Sequence, residues 1–137
     1  MTERTVSESP AMAPATGGSG PRDEPQVEVD RRPWGSFERF THNEPTTVKV
    51  IHVAPGQRLS LQRHRHRDEL WVALDPGAVF EVDGERTLPE VGERVFIRAG
   101  QTHRLGSSGP AVRVLEIAFG HFDEDDIERL EDAYGRA

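Results

Sequence analysis

The chain has 137 residues, 34% hydrophobic and 30% charged, with no cysteine and a formal net charge of −7. That length supports one compact domain with its own core and leaves no room for a second catalytic domain. The lack of cysteine excludes disulfides and thiolate metal ligands, so a metal site here must use imidazole, carboxylate or amide oxygen, and the cytoplasm is the expected location.

No apolar run approaches the roughly 20 residues of a membrane span, and Met1-Thr2-Glu3-Arg4 is not followed by the apolar core of a secretory signal. Neither export nor membrane attachment is expected. Between His121 and Ala137 seven acids stand against two arginines, so this stretch carries −5 of the net charge and the remainder is nearly balanced. Arginines gather around the histidines, which points to a small anionic ligand and not to a nucleic-acid surface.

In chain order, residues 1–28 are rich in Ser, Pro, Gly, Ala and Thr and hold too little apolar surface to offset the entropy of ordering. They are expected to form a disordered leader, with residues 29–137 as the folded domain. Segments of strand character then recur at Phe37 to Phe40, Thr46 to Val53, Ser60 to His64, Glu69 to Leu74 and Ala78 to Val82, and again at Glu85 to Leu88, Arg94 to Ile97, Thr102 to Gly106 and Val112 to Phe119. Ala54-Pro55-Gly56, Asp75-Pro76-Gly77, Asp83-Gly84 and Ser107-Ser108-Gly109-Pro110 supply the turns between them. Many short strands with little helix imply a sandwich or barrel. At the end, Asp123 can cap a short helix whose apolar positions Ile127, Leu130 and Tyr134 recur at three and four residues, with Gly135 as its stop.

The chemistry concentrates in two stretches. In the first, period-2 alternation turns Gln62, His64 and His66 to one face of an extended segment that ends at Glu69. In the second, His103 follows the glycine turn at Gly100. Nitrogen and oxygen ligands from these separate strands can close around a divalent ion, and two registers are available: His64, His66 and Glu69, or Gln62, His64 and Glu69, each completed by His103. Lys49 shares strand parity with Ile51 and Val53, which is unusual company for a charge. His66 could carry a proton, since imidazole titrates near neutral pH, and Glu81 could do so if its strand turns it inward. His42, His52 and His121 lie outside both stretches and are read as surface or packing residues.

Gly56, five residues, Gln62-x-His64, four residues and Glu69 resemble the first cupin motif, with glutamine in place of its first histidine. Gly92, five residues, Arg98-x-Gly100, two residues, His103 and Ser107 resemble the second, with Arg98 and Ser107 replacing its usual proline and asparagine. The wording is closer still to the cupin domain of type II mannose-6-phosphate isomerases, often fused to a mannose-1-phosphate guanylyltransferase. Arg32-Pro33-Trp34-Gly35-Ser36-Phe37, Leu59 to Trp71, Ala99-Gly100-x-x-His103-Arg104-Leu105 and Glu124 to Arg136 each resemble a stretch of that family. Leu70 stands where a histidine is usual, Pro76 where a turn glycine is, and Ala118 where a glutamine is frequent.

The resemblance implies an all-β cupin, a double-stranded β-helix or jelly-roll barrel, with the short C-terminal helix. It selects the register Gln62, His64, Glu69 and His103 for the metal, because cupin ligands fall at positions zero, two and seven of the first motif. Zn²⁺ is the default ion, with Mn²⁺, Co²⁺, Ni²⁺ and Fe²⁺ compatible with the same donors. It implies interconversion of mannose 6-phosphate and fructose 6-phosphate, for which His66, and after it Glu81, is the candidate base, and Lys49 and Arg67, ahead of Arg136, are the candidate phosphate contacts. Two other readings are a non-catalytic cupin that binds a sugar phosphate or nucleotide sugar, and a metal-dependent oxygenase, which glutamine at residue 62 disfavours. Exposed strand edges in a small barrel are often covered by a second copy, so a homodimer is expected.

Overall fold

The computed structural model describes residues 3–6 and 23–136, the former as backbone only. Among the described residues there are twelve strands: β1 Glu3–Val6, β2 Glu28–Arg32, β3 Gly35–Arg39, β4 Thr46–Val53, β5 Leu61–Arg63, β6 Arg67–Ala73, β7 Ala78–Val82, β8 Glu85–Thr87, β9 Arg94–Ile97, β10 His103–Ser107, β11 Val112–Gly120 and β12 Glu128–Glu131. Among the described residues there is no helix long and apolar enough to cross a membrane.

The chain divides at Glu44 and Pro45 into two units. In the first, β1, β2 and β3 form a three-stranded antiparallel sheet. Within it Arg39 pairs with Glu28, and the Arg32 guanidinium stacks on the Phe37 ring at 5.3 Å. Most of the expected leader, residues 7–22, lies outside the described residues, whereas Glu3–Val6 pairs with Glu28–Arg32.

The second unit is the two-sheet barrel expected of a cupin. One sheet runs β12-β5-β10-β7-β8 and the other β4-β11-β6-β9, with every pairing antiparallel. Strand alternation aims one face of each sheet at the other. Phe80, Leu105, Ile97 and Val114 fill the space between them, and Trp71 meets Phe80 edge-on at 5.3 Å. Each such buried side chain contributes about 1.5–3 kcal/mol. The β7–β8 hairpin closes on Asp83 and Gly84, both at positive φ (50° and 82°), which is the two-residue turn that matches strand twist.

The C-terminal helix is a misreading of the sequence. Residues Glu128–Glu131 form β12 on the edge of β5, preceded by a turn over residues 124–125. A segment this short forms a helix only marginally on its own. Here β5 offers unpaired backbone groups, and Arg63 holds Glu128 through two nitrogens at 2.6–3.0 Å.

Candidate metal centre at the mouth of the barrel

β5 ends at Arg63, and residues 64–66 turn away before β6 begins. The turn is held from several sides. The Asp126 carboxylate accepts from the backbone N–H groups of Arg65 and His66, both at 2.9 Å, and the Gly100 N–H donates to the His64 carbonyl at 2.8 Å. Gly120, at φ 96°, passes so close that a Cβ there would lie 2.8 Å from the His66 carbonyl oxygen, so only glycine fits without a shift.

This turn brings His64, Glu69 and His103 together, all buried, with one donor atom from each within 4.8 Å of the others. His64 Nε2 lies 3.4 Å from Glu69 Oε2, and His103 Nε2 lies 3.6 Å from Glu69 Oε1. Both rings are oriented through their far nitrogens: His64 Nδ1–H donates to the Asp126 carbonyl at 2.6 Å and His103 Nδ1–H to the Gln101 carbonyl at 3.0 Å. That arrangement fixes the tautomer and leaves both Nε2 lone pairs facing Glu69. Burial lowers the pKa of both histidines, that of His103 to about 4, so both are neutral donors at physiological pH. Two neutral imidazoles and a carboxylate, with no thiolate, fit a divalent ion.

Glu69 is itself oriented. Trp71 Nε1–H donates to its Oε1 at 3.1 Å and Arg67 Nε–H to its Oε2 at 3.0 Å. Arg67 also reaches His64 Nε2 through Nη2 at 3.1 Å and the Asp123 carbonyl through Nη1 at 3.2 Å, and it stacks on Phe122 at 4.3 Å. Gln62 sits directly opposite His103 across the β5–β10 pair and lines the same cup, its amide donating to Ser60 Oγ at 3.3 Å and to the Ser60 carbonyl at 3.4 Å.

The cup around this cluster encloses about 250 Å³. Lys49 lines it, as its strand parity suggested: it faces Glu116 across β4–β11, stacks on Phe122 at 4.3 Å and lies 3.5 Å from Glu124. Arg136 lines it too, clamped by Asp132 at 2.9 and 3.0 Å.

The two proposed bases are elsewhere. His66 is exposed and absent from the cup, because the strand ends before it and the alternation that would have aimed it inward stops with the strand. Glu81 is paired opposite Arg104, one residue out of phase with Val82 and His103, and so faces a separate depression of about 330 Å³ on the other side of its sheet. Leu70 likewise alternates with Glu69 and Trp71 and lies between Ile117 and Phe96 in the sheet, away from the cup. A polar group at 70 would not enter the cup from there.

Glu116, Glu124 and Arg129 line the cup without having been singled out from the sequence. Glu116 carries a readable signal: it shares strand parity with Val112, Val114 and Ala118, all buried, just as Lys49 shares it with Ile51 and Val53. Its carboxyl is pushed up to about 7 by burial and by the Glu69 carboxylate it is hydrogen-bonded to. Glu124 and Arg129 carry no such signal, since helical spacing over this stretch leaves its charged residues on a solvated face.

Residues 22–132 match the family model described as mannose-6-phosphate isomerase C-terminal. Among curated proteins, alginate biosynthesis protein AlgA of Pseudomonas aeruginosa is 40% identical over 107 residues, covering 77% of this chain and 22% of that protein. Mannose-1-phosphate guanylyltransferase ManC of Salmonella typhimurium is 39% identical over the same length, again 77% and 22%. The chain thus spans about a fifth of the length of these relatives. Among solved structures, an uncharacterised Klebsiella pneumoniae protein with a double-stranded β-helix domain aligns with TM-score 0.56 at 20% identity, covering 88% of this chain and 90% of that one. The capsular polysaccharide assembling protein CapF of Staphylococcus aureus aligns with TM-score 0.55 at 22% identity over 77% of this chain and 32% of its own. These likenesses show the double-stranded β-helix fold.

Proposed function

From the premise that the chain belongs to the mannose-6-phosphate isomerase C-terminal family, we propose that its cup binds a divalent ion and interconverts mannose 6-phosphate and fructose 6-phosphate. The observation that carries this reading is the pair of buried imidazoles, each held by a backbone carbonyl so that its free nitrogen faces Glu69 beneath a cup lined by cations.

His64, Glu69 and His103 would hold the ion, with Gln62 beside them. When bound, such an ion polarises the carbonyl and hydroxyl oxygens of an open-chain sugar. The chain's own groups supply the rest. Isomerisation moves one proton between the sugar's first two carbons and one between their oxygens, with no net oxidation and no redox cofactor. Glu116, with its carboxyl on the cup's inner face and outside the ligand set, takes the base role at Oε, in place of His66 and Glu81. Trp71 and Arg67 hold Glu69 in place, and the apolar walls Ile51, Leu59 and Leu105 limit water around the reacting carbons.

A second reading is a cupin that binds a sugar phosphate without isomerising it. It is favoured by Arg67, whose guanidinium occupies both Glu69 and the His64 lone pair. A coupled assay on chelator-stripped protein, resupplied separately with Zn²⁺, Mn²⁺, Co²⁺, Ni²⁺ and Fe²⁺, separates the two. Turnover restored by an ion and lost in His64→Ala supports the isomerase. No turnover in folded, metal-loaded protein supports the binding module.

A further inference from the structure

Four cations line the cup: Lys49, Arg67, Arg129 and Arg136. Three are already matched by an acid. Lys49 lies 3.5 Å from Glu124, Arg67 3.0 Å from Glu69 and Arg136 2.9 Å from Asp132. Arg129 differs: among the described residues it has no carboxylate partner, and its Nε is buried with no hydrogen-bond acceptor. A buried N–H without an acceptor is costly, and on a guanidinium more so, which makes it a place where an incoming anion gains most.

The position of Arg129 is set by β12. Arg129 pairs opposite Gln62, and Gln62 pairs opposite His103, so the three form one row across β12, β5 and β10. The preceding residue, Glu128, points to the other side, where Arg63 holds it. Two inter-strand steps of roughly 4.8 Å separate the backbone of Arg129 from that of His103, about 10 Å in all.

Resting on the sugar-phosphate reading of the cup, we infer that Arg129 is the anchor for the substrate's terminal phosphate, placed two strands from His103 so that the sugar lies along Gln62 with its reacting end at the histidine–glutamate cluster. The planar guanidinium can give two parallel N–H bonds to a phosphate, and its charge is not already neutralised by an acid as those of Lys49, Arg67 and Arg136 are. Arg129 positions the ligand and takes no part in proton transfer. It thereby selects a chain with the anion at the end remote from the carbonyl.

The test uses the full chain, metal-loaded, as wild type, Arg129→Gln and Arg129→Lys, with mannose 6-phosphate, unphosphorylated mannose and inorganic phosphate as probes. The expected result is a rise in KM or Kd for mannose 6-phosphate of roughly 10- to 100-fold in Arg129→Gln, with kcat little changed, partial recovery in Arg129→Lys and no difference with mannose. The Arg129 Nε–H resonance of the wild type should shift on adding inorganic phosphate, a readout that does not depend on any variant folding. If the wild type binds mannose 6-phosphate through Arg129 without turnover, the isomerase reading fails and the anchor stands. If the wild type turns over and Arg129→Gln keeps its KM, or if the resonance does not respond to phosphate, the anchor is overturned while the isomerase reading survives.

Discussion

Arg67 Nη2 lies 3.1 Å from His64 Nε2, on the lone pair that a metal ion would need, while Arg67 Nε bonds Glu69 at 3.0 Å. The guanidinium thus supplies part of the positive charge that a bound ion would supply there. Removing one partner of a buried ion pair costs about 3–5 kcal/mol, because the other charge is left unmatched. Arg67→Met should therefore lower the melting temperature of chelated protein sharply, and a saturating divalent ion should close most of the gap to the wild type. Melting curves with chelator and with Zn²⁺ or Mn²⁺ check this; an equal gap in both conditions would show that guanidinium and ion do not share the site.

The ligand assignment makes a separate demand. His64→Ala combined with His103→Ala should abolish stoichiometric metal binding and leave a cooperatively folding barrel, since both rings are neutral and the apolar cluster between the sheets keeps all its own side chains. Metal content by elemental analysis, alongside far-ultraviolet circular dichroism, decides the point. Full occupancy in the double variant would refute the assignment.

Glu116 gives the metal-free protein a pH signature. Its folded pKa of about 7 lies above the ordinary glutamate value of 4.5, so between those values the folded state holds more protons, and this group's contribution to stability is lost as pH rises from 4.5 through 7. His103 acts oppositely: its folded pKa of about 4 lies below 6.5, and stability is lost as pH falls from 6.5 towards 4. Glu116→Gln keeps a donor for Glu69 and removes the first effect. Relative to the wild type, the variant should be more stable at pH 8 than at pH 5 by about 2 kcal/mol. Urea unfolding of chelated proteins at the two pH values measures it, and a difference that does not change with pH would mean that Glu116 titrates normally.

Asp126 ties the C-terminal loop to the ligand turn through two carboxylate bonds and one carbonyl bond. Asp126→Ala removes the first two. We expect a loss of about 1–2 kcal/mol in stability and of about tenfold in metal affinity, because the loop that carries the Asp126 carbonyl is no longer tied to the turn that carries His64. Unfolding curves and ion titration test the pair of effects. If neither changes, strand pairing alone holds the turn.

Local spacing was enough to determine most of the barrel. Alternating apolar residues bounded by Pro, Gly and Asp placed β4, β7 and β9 as Thr46–Val53, Ala78–Val82 and Arg94–Ile97, because strand period and turn chemistry depend only on neighbours in sequence. The same logic put Lys49 on an inward face and drew His64, Glu69 and His103 towards one site. Tertiary structure decided what local spacing could not. Ile127, Leu130 and Tyr134 recur as on a helix, yet their segment pairs with the free edge of β5, and an edge far away in sequence leaves no trace in a local pattern. That pairing brought Arg129 into the cup and Asp126 onto the ligand turn. The end of β5 at Arg63 moved His66 out, and the phase of β7 against β10 turned Glu81 away, both settled by register between strands and not by the order of residues within one.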